Sequence, residues 1–182
     1  RSQHFIEKRM NDNIGLTFFA GEAYTQCPLT TDHAALMNLY ASADTRMAAK
    51  GTIDDGTAIG DGIMNALLRL RESKAKSKVI ILLTDGVNNA GNISPVTTAE
   101  IAKKQKVRIY TIGIGTTGMA PYPLPTGGTV SLPVEIDEAT MTKISKETGG
   151  QCFRAQRNSE LDAIYNDIEI EIGRAVQQEC RD

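Results

Sequence analysis

Two short segments hold hard oxygen donors where a divalent cation could use them. Asp54-Asp55-Gly56-Thr57-Ala58-Ile59-Gly60-Asp61 opens an amphipathic helix, and Leu83-Thr84-Asp85-Gly86-Val87-Asn88-Asn89 closes the most apolar strand of the chain. In an open α/β sheet, ligands bind beyond the carboxyl ends of the strands, which is where Asp85 falls. A hydroxyl from Thr57 and a carboxylate from Asp85 suit Mg²⁺, Mn²⁺ or Ca²⁺, ions that prefer oxygen ligands. Asn88 and Asn89 would shape the rim. The same residues also have a plainer reading, in which Asp85-Gly86 makes a turn and Thr57 caps its helix. Asp54 and Asp55 read as surface charges and Asp61 lies one helical turn beyond Thr57, so these three are set aside as ligands.

Other chemistry is weakly represented. Gly113-Ile114-Gly115-Thr116-Thr117-Gly118 matches a dinucleotide-binding GxGxxG. That fingerprint works only where a helix begins and meets the pyrophosphate, and Pro121, Pro123 and Pro125 prevent one here. The glycines are read instead as a tight exit from a strand. There is no GxxxxGK[ST] phosphate loop and no HExxH. His4 and His33 stand apart from any nucleophile, so hydrolysis through a triad is unsupported. Cys27, Cys152 and Cys180 form no CxxC pair, which argues against structural zinc. Cys27 and Cys152 are read as core residues.

The elements that must position Thr57 and Asp85 follow from hydrophobic spacing. Ile14–Phe19 is an apolar strand, and Ala23–Cys27 is its hairpin partner. Thr31 or Asp32 caps a helix bearing Ala35, Leu36, Leu39 and Tyr40. Ile59, Ile63, Ala66, Leu67 and Leu70 fall on one face of a second helix. Val79–Thr84 and Val107–Ile114 are strands, with a helix over Val96–Lys104 between them. Met119–Pro133 is read as a surface excursion with a small hairpin around Gly127-Gly128. Glu138–Thr148 is a helix closed by Gly149-Gly150, Gln151–Arg154 a short strand, and Leu161, Ile164, Tyr165, Ile168 and Ile172 line a long final helix. Alternating strands and helices with continuously apolar strands predict a doubly wound α/β fold: a mostly parallel sheet with helices on both faces.

Bulk properties limit the functional classes. The 182 residues suit a single domain, and 41% hydrophobic with 23% charged content reads as globular. A net charge of −2 provides no pull toward nucleic acid or an anionic membrane. No apolar run approaches the roughly 20 residues of a membrane span.

Taken together, Asn13–Ala20, Gly56–Gly60, Val79–Asn89 and Tyr110–Gly115 resemble von Willebrand factor A (VWA) domains in order and spacing. The stretch Phe19–His33 (FAGEAYTQCPLTTDH), with Asp55–Asp61, Ser77–Gly91 and Pro133–Asp137, is similar to the bacterial aerotolerance (Bat) group, most nearly its BatA members. The resemblance implies a non-enzymatic binding module with a metal-ion-dependent adhesion site. In the family that site takes an Asp and two Ser from a DxSxS loop after the first strand, a Thr from a second loop and an Asp from a third. Thr57 and Asp85 match the second and third. No DxSxS occurs in the chain, and Ser2–Arg9 resembles the tail of the family's first helix. The expectation is therefore a domain truncated at its N-terminus, without its first central strand. Mg²⁺ or another divalent cation would bind in the full-length protein, and weakly or not at all to this chain.

The resemblance also implies a soluble domain of a membrane-tethered protein of the bacterial envelope, on the periplasmic side. Its partner would be a protein presenting a carboxylate, with other Bat proteins or a MoxR-type AAA+ ATPase as candidates. Without the first strand, Ile14–Phe19 and Val79–Thr84 should either pair directly or exchange strands between molecules, with direct closure favoured. The competing functional readings are a metal-independent scaffold and a hydrolytic enzyme.

Overall fold

The computed structural model describes residues 2–42, 56–115, 118–123, 128–134 and 136–179. Three parallel strands form the core: β3 (Lys78–Thr84), β4 (Val107–Ile114) and β7 (Cys152–Ala155), in the order β3-β4-β7. β3 and β4 run in register from Lys78 opposite Val107 to Thr84 opposite Gly113. β1 (Ile14–Phe19) and β2 (Ala23–Thr30) make an antiparallel hairpin, its turn closed by Ala20 N donating to the Glu22 carbonyl at 2.8 Å. Parallel and antiparallel strands are thus both present, in separate sheets among the described residues, and the parallel sheet carries the site.

Side chains alternate across β3 and β4, so each strand feeds two cores. On one face Ile80, Leu82 and Ile109 meet Ile59, Ile63 and Leu67 of α3 (Ile59–Arg71), Ala99 and Ala102 of α4 (Pro95–Lys104), and Ile144 of α5 (Glu138–Thr148). On the other, Tyr110 and Ile112 pack with Leu161, Ile164, Tyr165, Ile168 and Ile172 of α6 (Leu161–Glu179). Phe5 of α1 (Ser2–Glu7) joins that second core, and it also packs on Ile6, Cys27 and Leu36, the last from α2 (His33–Ala41). Each fully buried Leu or Ile contributes about 1.5–3 kcal/mol. The starts of α2 and α5 and the end of α5 are closed locally. Asp32 accepts from Ala35 N at 2.9 Å, Asp137 accepts from Thr140 N at 3.0 Å, and Gly149 takes φ 77° after α5.

The proline-rich excursion is a hairpin of β5 (Gly118–Pro123) and β6 (Thr129–Val134), with Pro121 opposite Ser131 and Pro123 opposite Thr129. It pairs with no other strand among the described residues. A two-stranded ribbon has only edges, so residues lacking an N–H are tolerated in it.

Direct closure of the sheet does not occur. Among the described residues β1 pairs only with β2, and β3 only with β4. The reason lies in α3, which packs on the hairpin and on the parallel sheet at once. Gly62 presses on the Phe19 ring, and Asn65 Oδ1 accepts from Thr25 Oγ1 at 2.7 Å. Phe19 in turn packs against the core that holds Ile80 and Leu82. Sliding the hairpin onto β3 would strip these contacts, so each of the two strands keeps an edge that no strand among the described residues pairs with.

Candidate metal centre

β3 delivers Asp85 to the carboxyl end of the parallel sheet. Thr84 is buried as its last residue, Gly86 N donates to Thr84 Oγ1 at 3.3 Å, and Asp85 stands exposed at this bend. Thr57 lies in the loop before α3, half-buried. The fold brings these two segments into contact: a Cβ on Gly86 would lie 2.9 Å from Thr57 Oγ1. The threonine hydroxyl therefore lies against the residue following Asp85, and only a glycine permits that approach.

The plainer reading of Thr57 as a helix cap does not describe this loop. The residue at the cap of α3 is Ala58, which has no capping side chain. Asn88, from the loop after β3, caps the helix instead, and its Oδ1 accepts from Ile59 N at 2.8 Å. Asn89 Oδ1 accepts from Thr57 N at 2.7 Å, while Asn89 N donates back to the Thr57 carbonyl at 3.1 Å. Ala58 N donates to the Ala20 carbonyl at 2.6 Å, tying the loop to the β1–β2 hairpin as well.

Asp61 is committed to structure. Its carboxylate accepts from Asn92 N at 3.0 and 3.1 Å and from Ile93 N at 3.0 Å, holding the far side of the same loop. Asp54 and Asp55 lie outside the described residues. Among the described residues no group of three or more His, Cys, Asp and Glu side chains could hold a metal ion. Thr57 and Asp85 together fit a hard cation in ligand type, with two oxygens and one charge against the six or more oxygens such ions take.

The remaining motifs resolve in structural terms. Among the described residues the element that follows Gly113 and Gly115 is strand β5 of the β5–β6 hairpin and not a helix whose N-terminus could meet a pyrophosphate. Gly113 instead makes room for Met141 and Ile136. His33 Nε2 sits 2.9 Å from the Asp12 carbonyl, and His4 is exposed beside Glu7. Cys27 is buried and Cys152 half-buried, both as free thiols, and burial raises the Cys27 pKa, with Asp32 adding to it. Cys180 lies outside the described residues.

The contributions of Asn88, Asn89 and Asp61 escaped the sequence reading in this detail. The one available signal is that Ala58, which cannot cap, immediately precedes Ile59, so the first N–H groups of the helix fall to Thr57 or to a partner from elsewhere.

The von Willebrand factor type A domain family matches residues 2–167. An uncharacterized protein of Borreliella burgdorferi is 34% identical over 154 residues, covering 80% of this chain and 42% of that protein. The chain spans less than half the length of the curated relatives it matches, between 42% and 49%. A BatB crystal structure from Bacteroides thetaiotaomicron is similar with TM-score 0.77 and 25% identity, over 95% of this chain and 85% of that one. An aerotolerance-related membrane protein from Bacteroides fragilis is similar with TM-score 0.75 and 26% identity, over 95% and 87%.

Proposed function

Because the chain belongs to the von Willebrand factor type A family, we propose that it is a cation-assisted protein-binding module of the bacterial aerotolerance group. The observation that carries this reading is the contact between Thr57 Oγ1 and the Asp85-Gly86 bend at the carboxyl end of the parallel sheet. VWA domains are generally non-catalytic interaction modules, and this one is read as such. Likeness to a BatB and to an aerotolerance-related protein supports the Bat group. Assignment to the BatA type within that group rests on the resemblance of Phe19–His33, Asp55–Asp61, Ser77–Gly91 and Pro133–Asp137, with Phe19–His33 the most specific of them.

In the full-length protein, a DxSxS strand upstream would complete the ligand set with Thr57 and Asp85. A cation held there would keep an open position for a carboxylate from the partner. The partner is then an acidic surface on another protein, with other Bat proteins or a MoxR-type AAA+ ATPase as candidates. Among the described residues no helix is long and apolar enough to cross a membrane. Tethering would come from segments outside them, and we place the domain on the periplasmic side of the envelope.

In this chain alone the cation should bind weakly or not at all, since one carboxylate does little to offset the dehydration of Mg²⁺. Calorimetry with Mg²⁺ and Mn²⁺ tests this. Micromolar binding that disappears in Asp85→Ala would show the half-site to be sufficient and refute the claim. Extending the protein upstream should create binding that is sensitive to both Thr57→Ala and Asp85→Ala. Failure of either substitution to weaken it would remove that residue from the site.

A metal-independent scaffold is the second reading, favoured by the missing acidic cluster among the described residues. Equal partner affinity in cation and in chelator would support it. The edges of β1 and β3, unpaired among the described residues, also fit strand exchange between molecules. Light scattering should then detect a dimer at high concentration, and a monomer throughout would exclude the exchange.

A further inference from the structure

The loops bearing Thr57 and Asp85 are stitched together by side chains that the cation reading does not use. Thr57 offers both its backbone groups to Asn89: its N–H to Asn89 Oδ1 at 2.7 Å, and its carbonyl to Asn89 N at 3.1 Å. Ala90 N reaches the same carbonyl at 3.4 Å. Two residues further on, Ile59 N donates to Asn88 Oδ1 at 2.8 Å, in place of the cap that Ala58 cannot provide. Asp61 fastens the other side through the N–H groups of Asn92 and Ile93. Gly60 lies so close to the Ile93 carbonyl that a Cβ would sit 1.8 Å from its oxygen. The segment 56–61 and the segment 85–93 are therefore one packed unit, with every link made by the protein itself.

We propose that Asn88 and Asn89 are positioning residues that fix the Thr57 hydroxyl against the Asp85-Gly86 bend before any cation arrives. This deepens the reading of Thr57 and Asp85 as a cation half-site and rests on it. A side chain that only capped α3 would need one acceptor. Here two successive asparagines grip the chain on either side of Ala58, Asn89 at Thr57 and Asn88 at Ile59, the first residue of α3. Thr57 is thereby held on both its N–H and its carbonyl, leaving its side chain to turn against Gly86. The partners are close in space but 32 and 29 residues apart in sequence. Each amide oxygen accepts from a main-chain N–H, and a carboxylate could replace it in that role.

Two measurements separate the proposal from the function it serves. Hydrogen exchange of the 182-residue chain, read amide by amide without cation, tests the clamp. Asn89→Ala should speed exchange at Thr57 N–H about tenfold or more, and Asn88→Ala should do the same at Ile59 N–H. The core amides of Ile80 and Ile109 should keep their rates, and Asn89→Asp and Asn88→Asp should restore protection. Unchanged protection at Thr57 in Asn89→Ala would overturn the proposal. So would a parallel rise at the core amides, because the residue would then be supporting the whole fold. The second measurement is Mn²⁺ affinity in the upstream-extended protein, where Asn89→Ala should weaken binding about tenfold. Equal affinity there would also overturn it. If the unsubstituted extended protein binds no Mn²⁺, the cation reading falls, and the exchange data still decide whether the clamp exists.

Discussion

Gly60→Ala should be among the most damaging single-methyl additions available to this protein. The new Cβ would lie 1.8 Å from the Ile93 carbonyl oxygen, 2.8 Å from its carbon and 3.1 Å from Pro95 N. All three atoms are backbone, so no side-chain rotation relieves the clash. Restoring an ordinary contact needs the start of α3 and the loop to part by roughly 1.5 Å. That movement would lengthen the bonds from Asn92 N and Ile93 N to the Asp61 carboxylate past useful range. Overpacking costs about 1–3 kcal/mol, and a lost hydrogen bond to a charged group about 1.5–3 kcal/mol. Against these, the gain in helix propensity from Gly to Ala is only about 1 kcal/mol. A net loss of about 1.5–5 kcal/mol is expected, a substantial part of the stability of an ordinary domain. Urea unfolding followed by circular dichroism measures it. Gly173→Ala on α6 is the control, since its Cβ would meet nothing within 4 Å, and it should stabilise by about 0.5–1 kcal/mol. If Gly60→Ala fell within about 1 kcal/mol of the parent chain, the two loops would not be packed as described, and the clamp built on them would lose its support.

Deleting residues 122–131 should leave the urea midpoint almost unchanged, because β5 and β6 pair only with each other among the described residues. Loss of cooperative unfolding would show that the hairpin belongs to the core. The Lys103–Glu147 pair links α4 to α5 at 2.8 Å, and the hydrogen bond and charge of Lys103 lower the Glu147 pKa while those of Glu147 raise the Lys103 pKa. Its contribution is present at neutral pH. It fades in acid as pH falls through the depressed carboxyl pKa, and in base as pH rises through the elevated amine pKa. Lys103→Met should move the Glu147 carboxyl titration, followed by carbon NMR, up toward that of a free glutamate. An unmoved titration would mean that the pair is not populated in solution.

Much of the scaffold was legible in the sequence because it depends on local periodicity. Residues 79–84 and 107–114 are apolar on both faces, and a strand buried on both faces has no other pattern available to it. Ile59, Ile63 and Leu67, and likewise Leu161, Ile164, Tyr165, Ile168 and Ile172, repeat at helical spacing, and all are buried where that spacing puts them. The place of Asp85 at the carboxyl end of β3 followed from strand direction, and the strand in place of a helix over Gly118–Pro123 followed from the prolines. What stayed hidden depends on segments that meet only once the chain has folded. No rule of spacing shows that Asn88 caps a helix beginning 29 residues earlier, or that the Asp61 carboxylate is spent on Asn92 and Ile93. Whether β1 and β3 would pair was equally beyond it. Both strands have the composition to do so, and the outcome is decided by α3, whose packing on the hairpin and on the sheet holds the two edges apart.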